Sequence, residues 1–347
     1  MREGIELIKA LSLAFGPTGC EGAVAELVKE EIKDLPVSLS YDRMGNLVAH
    51  LKGPEGAPRV LLSAHMDEVG FMVTEIEKKG FLRFSPLGGI DPRVMVGRAV
   101  VLGDESKRVN GVIAAKGIHF QNAEERAKMP ELKDMYIDIG VADKEAAEQL
   151  VALGDFGTFD TPFMLLGEEG EYLSGKALDD RLGCAVLIEL LRRVARQSLP
   201  LDLFFAFTVR EEIGLSGATV VANRIAPDIA FILEATAMAD LPDVPAARRV
   251  ADMGCGGVLS LLDNATIYDR DLIDRAQEIG RRLSIPVQVK RFVSGGNDAK
   301  NVQRTGTGVR CMALSAPTRY LHAPVTVAKN SDVEAMIALL EAMLLEI

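Results

Sequence analysis

Residues 59–70 read RVLLSAHMDEVG. An apolar run that ends in His65 and Asp67 reads as a buried strand with polar chemistry at its C-terminal end, where open α/β sheets place their ligand sites. Further strand patterns lie at 46–51, 203–208, 229–233 and in VRCMALSA at 309–316. Helical spacing of apolar residues marks 3–13, 23–32, 179–197 and 270–282, with a closing helix from Asp332. This alternation predicts an α/β fold.

Between 69 and 167 the texture changes to short apolar runs punctuated by glycine, as in VGRAVVLGDESKRVNGVIAAKG, with the charged connector QNAEERAKMPELKD in the middle. That predicts a β-rich insert at 69–167, interrupting a catalytic α/β unit formed by 1–68 and 168–347. With 347 residues and 48% hydrophobic side chains, the chain can bury more than one core. Its net charge of -11 argues against nucleic acid and anionic membranes as partners. Cys20, Cys184, Cys255 and Cys311 lack CxxC spacing, so reduced, mostly buried thiols are expected rather than a zinc ribbon or disulfide framework. The first 22 residues mix acids among helically spaced apolar positions, unlike a secretory signal, and the apolar stretch near 335–345 is broken by Glu341. A soluble, cytoplasmic protein is expected.

The chain has four histidines: His50, His65, His119 and His322. His322 lies in RYLHAP, just after a strand pattern, much as His65 does; His50 and His119 read as structural or surface residues. Asp67, two residues beyond His65, can share a face with the imidazole and orient it, or make a local turn bond. Asp179 and Asp180 immediately precede an apolar helix, where capping explains one aspartate and leaves the other free to bridge cations. Glu211 and Glu212 follow the strand pattern LFFAFTV; two adjacent carboxylates in a partly dry cleft repel unless cations neutralise them, and on an open surface they are merely solvated. Glu234 ends IAFILE and needs a partner or solvent.

His65, Asp180, Glu212, Glu234 and His322 thus gather at strand ends or helix starts of one expected sheet. Two imidazoles and three carboxylates, one of them bridging, match the ligand count of two divalent metals with a position left open for water, and zinc, cobalt or manganese accept such donors. Glu211, beside a ligand but not itself one, is then the expected general base.

Several longer segments carry a family resemblance: DRMGNLVAHLKG, LLSAHMDEVGFMV, GVIAAKGIHFQNAEERAKMPELKDMYIDIG, SGKALDDRLGCAVLIELL, FTVREEIGLSGA, SGGNDAKNVQRTGTGV and RYLHAP. In order and content, nearly end to end, the chain resembles the tetrahedral aminopeptidases, also described as glutamyl, leucyl or deblocking aminopeptidases. The resemblance implies a three-layer α/β/α dinuclear-metal peptidase domain with an inserted β-barrel-like dimerisation domain. It implies one metal held by His65, Asp180 and Glu234, a second by Asp180, Glu212 and His322, a supporting role for Asp67, and Glu211 as base. It also implies two divalent ions per subunit, short peptides with a free N-terminus as substrates, and dimers assembling into a tetrahedral dodecamer. The chain departs from the pattern at Glu234, where many relatives carry aspartate, and at Asn297 in SGGND, where they carry threonine.

Other readings remain at this point. A glycoside hydrolase of the endoglucanase type also uses paired carboxylates, but the chain has no tryptophan and 5% aromatic residues with which to build sugar platforms. A deacylase or carboxypeptidase would use the same metals with a different terminus-reading pocket. A non-catalytic assembly subunit would have no use for the Glu211–Glu212 pair. Asp298 reads equally as a cleft-shaping residue or a turn stabiliser.

Overall fold

A computed structural model describes residues 1–104 and 106–346. Two helices, α1 (Gly4–Leu13) and α2 (Gly22–Ile32), lead into β1 (Ser38–Tyr41), β2 (Leu47–Leu51) and β3 (Arg59–His65). Six strands follow: β4 (Gly70–Ile76), β5 (Leu82–Leu87), β6 (Ala99–Gly103), β7 (Arg108–Ala115), β8 (Met135–Asp138) and β9 (Phe156–Phe159), with short helices α3 (Ala123–Ala127) and α4 (Lys144–Glu148). The chain continues through β10 (Met164–Leu166), β11 (Tyr172–Gly175), α5 (Leu178–Val194), β12 (Asp202–Thr208), α6 (Ser216–Ile225) and β13 (Ile229–Ala237). It ends with β14 (Gly257–Leu259), α7 (Arg270–Leu283), β15 (Val287–Val289), α8 (Ala299–Val302), β16 (Arg310–Thr318), β17 (Thr326–Lys329) and α9 (Asn330–Glu346).

One sheet has the order β1-β2-β12-β3-β13-β16-β14-β15. Its four central strands, β12, β3, β13 and β16, are mutually parallel, so their C-terminal ends share one edge. The strands are apolar throughout because both faces are covered: β3 is buried from Val60 to His65, and β13 from Ile229 to Thr236. Register aligns the chemistry. Thr208 pairs with His65, and Ile232 pairs with Ser63, which brings Glu234 level with His65.

The insert is a closed barrel, β4-β5-β8-β7-β6-β9, with its own apolar core around Phe71, Phe84 and Phe159. Its strands run from Gly70 to Phe159. β10, inside the stretch expected to belong to the insert, pairs instead with β11, which pairs with β17 beside the main sheet. The α/β fold with an inserted barrel-like domain is therefore observed as expected.

Under the site edge lies a buried ionic layer. Arg181 is fully buried, its guanidinium donating to the carbonyls of Met66 (2.7 Å), Leu11 (2.6 Å) and Gly16 (3.3 Å). Glu68 accepts from Lys176 Nζ at 2.6 Å and from Thr158 Oγ1 at 2.8 Å, which ties the last barrel strand to the segment following β3. A buried cation is tolerable only when its donors are matched, and these carbonyls and this carboxylate match them.

Cys184 and Cys311 are buried thiols, Cys20 is half-buried, and Cys255 is exposed. No helix among the described residues is long and apolar enough to cross a membrane.

Candidate active site

His65 closes β3 with its side chain 1% exposed. Its Nδ1 lies 3.1 Å from the Asp67 carbonyl oxygen; a carbonyl can only accept, so Nδ1 carries the proton. Nε2 is thereby aimed at carboxylates, 3.3 Å from Asp179 Oδ1 and 3.6 Å from Glu234 Oε2. His322, in the turn after β16, repeats the pattern. Its Nδ1 donates to the Gly89 carbonyl at 3.0 Å, and its Nε2 lies 3.3 Å from Asp179 Oδ2 and 3.4 Å from Glu212 Oε2. Each imidazole is thus oriented by a backbone acceptor, and each points its other nitrogen into one acidic cluster.

Asp179 is the residue common to both clusters, and this corrects the expected role of Asp180. Asp180 turns its carboxylate into the helix, where Oδ1 accepts the Gly183 N–H at 3.0 Å, a capping bond at the usual spacing. Asp179, one residue earlier, has extended torsions (φ -87, ψ 110) and lies outside the helical turn, so its side chain faces the cleft. Capping does consume one aspartate of the pair, but it is the second one. Nothing in the sequence tells the two apart, because each aspartate has a backbone N–H three residues on.

Glu211 and Glu212 follow β12 on a loop held from beneath. Asp67 Oδ1 accepts the Glu211 N–H at 3.0 Å, and Oδ2 accepts the Glu212 N–H at 3.1 Å and the Thr18 hydroxyl at 2.8 Å. Asp67 therefore does more than face the His65 ring, whose Nδ1 is 3.4 Å from Oδ1. Glu21, unremarked in the sequence, accepts the Arg210 N–H at 3.1 Å, where the backbone takes a positive φ of 56°. Asp298 is buried, with Oδ2 accepting from Thr208 Oγ1 at 3.0 Å. His50 and His119 stay outside the site: His50 bonds Asp202 and stacks on Phe204, and His119 is exposed.

The electrostatics are those of crowded acids. Burial pushes the Glu212 carboxyl up to about 8, and the Asp179 charge adds to it. Burial likewise raises Glu234 to about 7 against the opposing pull of His65, and raises Asp298 to about 7 with help from the Glu234 charge. Glu211 is held well above the ordinary carboxylate range by burial and then by Glu234. For Asp179 burial also acts upward, but the His322 and His65 rings outweigh it and hold the carboxyl below its usual value.

Two overlapping groups result: His65, Asp179 and Glu234, and Asp179, Glu212 and His322, the ligand atoms of each lying within 4.8 Å of one another. Asp179 Oδ1 and Glu234 Oε1 are buried without a hydrogen-bond partner. Buried carboxylate oxygens left unpaired, facing imidazole lone pairs, fit a divalent cation in each group. The cavity they border has a volume of about 170 Å³ and is also lined by Glu211.

The parallel strand edge, the inserted barrel and the paired imidazole–carboxylate groups define a hydrolase of the peptidase class. The chain belongs to the M42 glutamyl aminopeptidase family, whose model matches residues 45–339. It is 31% identical to the lysyl aminopeptidase of Pyrococcus furiosus over 99% of this chain and 97% of that one. Among solved structures, the TET aminopeptidase of a marine sediment Thaumarchaeota archaeon superposes with a TM-score of 0.95 at 34% identity, covering 99% of this chain and 96% of the other. The Pyrococcus horikoshii TET1 peptidase, described as able to assemble into a tetrahedron or a large octahedral shell, superposes with a TM-score of 0.88 at 36% identity over 99% of both chains. The resemblance seen in the motifs is thus confirmed at the level of family, fold and peptidase class.

Proposed function

We propose that the protein is a two-metal aminopeptidase that removes single residues from the free amino ends of short peptides. The observation that carries this reading is Asp179 standing between two imidazoles, with one carboxylate oxygen 3.3 Å from each Nε2. His65, Asp179 and Glu234 would hold one divalent ion, and Asp179, Glu212 and His322 the other, with zinc the best match to these donors and cobalt or manganese acceptable. When bound, such ions supply Lewis acidity toward a carbonyl oxygen and lower the pKa of water.

The chain's own residues do the rest. Glu211 borders the cavity, and its side chain makes no hydrogen bond or ion pair among the described residues, so its carboxylate is free to take a proton from attacking water. The same carboxyl then gives that proton to the departing amine, which leaves as the peptide shortened by one residue. Asp67 fixes Glu211 and Glu212 through their backbone N–H groups, so base and ligand keep their spacing during the transfer.

The names of the family and of its relatives differ in the residue they specify, glutamyl in one and lysyl in another, so the preferred first residue is not carried over from them. By likeness to the assembling TET1 structure, the chain forms a homo-oligomer, with the inserted barrel as the contact module; light scattering of the purified protein tests this. The central test is Glu211→Gln. Hydrolysis of aminoacyl-anilides should be abolished while two ions per chain remain, and N-acetylated substrates should be refused by the unaltered enzyme. Full activity in the variant, or turnover of the acetylated substrates, overturns the assignment.

A further inference from the structure

β12 ends at Thr208 and α6 begins at Ser216, so the backbone between them has no ladder of its own to occupy its N–H groups. Side chains occupy them instead. Four successive N–H groups are accepted by buried side-chain oxygens from three distant segments: Val209 by Asn46 Oδ1 at 2.9 Å, Arg210 by Glu21 Oε1 at 3.1 Å, Glu211 by Asp67 Oδ1 at 3.0 Å and Glu212 by Asp67 Oδ2 at 3.1 Å. Within this run Arg210 is left-handed, with a φ of 56°, where the Cβ of an L-residue crowds the following carbonyl oxygen. Such a conformation persists only where surrounding bonds hold it. The Arg210 side chain does not do so, because it is exposed and makes no hydrogen bond or ion pair among the described residues. The hold comes through the backbone: the N–H to Glu21, and the carbonyl, which accepts from Ser216 at 3.3 Å.

Glu21 is itself firmly seated. Its carbonyl accepts from Val24 and Ala25, each at 3.0 Å, at the start of α2, and its Oε1 also accepts the Gly19 N–H at 2.8 Å. Thr18, in the same turn, donates through its backbone to the Glu68 carbonyl at 3.0 Å and through its hydroxyl to Asp67 Oδ2 at 2.8 Å. The turn before α2 and the segment after β3 thus form one cradle beneath Arg210, Glu211 and Glu212.

We infer that Glu21 is a positioning residue for the proposed base: its side-chain oxygen holds Arg210 in the left-handed conformation, and that conformation aims the Glu211 side chain at the cavity. This inference rests on the reading of Glu211 given above. Without the acceptor, Arg210 is free to relax to a negative φ, which rotates the chain immediately before Glu211. A proton-transferring carboxylate displaced by about 1 Å loses much of its effect.

The test compares Glu21→Met, which fills similar space without a strong acceptor, with Glu21→Gln, which keeps an accepting oxygen. Burial and then the Asp67 charge push the Glu21 carboxyl up to about 7, and an amide oxygen accepts an N–H as either form of that carboxyl does. Both variants are assayed as metal-reconstituted full-length protein on the aminoacyl-anilide that the unaltered enzyme hydrolyses best. Glu21→Met should lower kcat by about 10- to 100-fold, with KM little changed and the bound metal retained. Glu21→Gln should stay close to the unaltered rate. Adding Arg210→Gly to Glu21→Met should recover part of the lost kcat, because glycine takes a positive φ without support.

An unchanged kcat in Glu21→Met overturns the inference, and so does a Glu21→Gln variant equally slow, a double variant no faster than Glu21→Met, or a loss of rate matched by loss of metal. If Glu21→Met does not fold, Glu21→Asp, whose carboxyl is drawn back by about 1.5 Å, takes its place with the same expectations. Failure of the unaltered protein to hydrolyse any anilide, or full activity of Glu211→Gln, counts against the reading of the base. A crystal structure of the Glu21 variant then decides its contact separately: Arg210 at a negative φ upholds the hold of Glu21 on this loop, and an unchanged φ removes it.

Discussion

Asp67 Oδ1 accepts the backbone N–H of Glu211 at 3.0 Å, so the carboxylate two residues beyond the His65 imidazole anchors the loop that carries the proposed base. Replacing Asp67 with alanine removes the acceptors of Glu211, Glu212 and Thr18 together. We expect kcat to fall by about 10- to 100-fold, the usual cost of losing such support, with KM changed far less. Steady-state kinetics on one anilide measures the split, and an unchanged kcat rejects the positioning role.

The two neighbouring aspartates should behave oppositely. Asp179→Asn weakens a donor to both proposed ions, and metal content by mass spectrometry of the native protein should fall well below that of the unaltered chain. Asp180→Asn retains an oxygen able to accept from Gly183 and should keep its metal. Loss of metal from the Asp180 variant alone would restore that residue as the bridge.

Thr208 and Asp298 give a stability prediction. The Thr208 hydroxyl is a hydrogen-bond donor to Asp298 Oδ2, while Oδ1 has no partner. Thr208→Val removes that donor and leaves a buried carboxyl fully unsatisfied, at a cost of about 1–3 kcal/mol. Denaturant unfolding of the metal-loaded protein should show a lower midpoint with an unchanged slope. An equal midpoint would mean that Asp298 finds another partner.

Chelation should destabilise the fold. Without cations, Glu211, Glu212, Glu234 and Asp298 crowd one buried site, where burial raises the cost of charging them. An ion held at a hundredfold excess over its dissociation constant contributes about 2.7 kcal/mol, so two ions removed should lower Tm by at least about 5 °C. A melting curve that ignores chelator would argue that the cluster binds no metal.

Much of this was legible in one dimension. The apolar runs before His65, Glu211 and Glu234 announced parallel strands ending at one edge, because a strand buried on both faces must be continuously apolar. A β-rich insert was visible as a change to glycine-punctuated short strands, and its barrel form was implied by the family resemblance. Two kinds of information were not. Which of Asp179 and Asp180 faces the cleft depends on backbone torsions at the start of α5, and adjacent identical residues give no compositional clue to that. The Thr208–Asp298 bond and the Glu21 contact to Arg210 join positions far apart in sequence, so only the folded chain brings them together. β10 was missed for a similar reason, since its pairing with β11 and not the barrel is a matter of partner choice.

The ring of His322 is oriented by the Gly89 carbonyl, which lies between barrel strands β5 and β6. The inserted module therefore supports one imidazole of the candidate site. Any engineered swap of barrels between relatives would transplant that support along with the proposed contact surface, and drift in that loop would be felt first as misalignment of an imidazole.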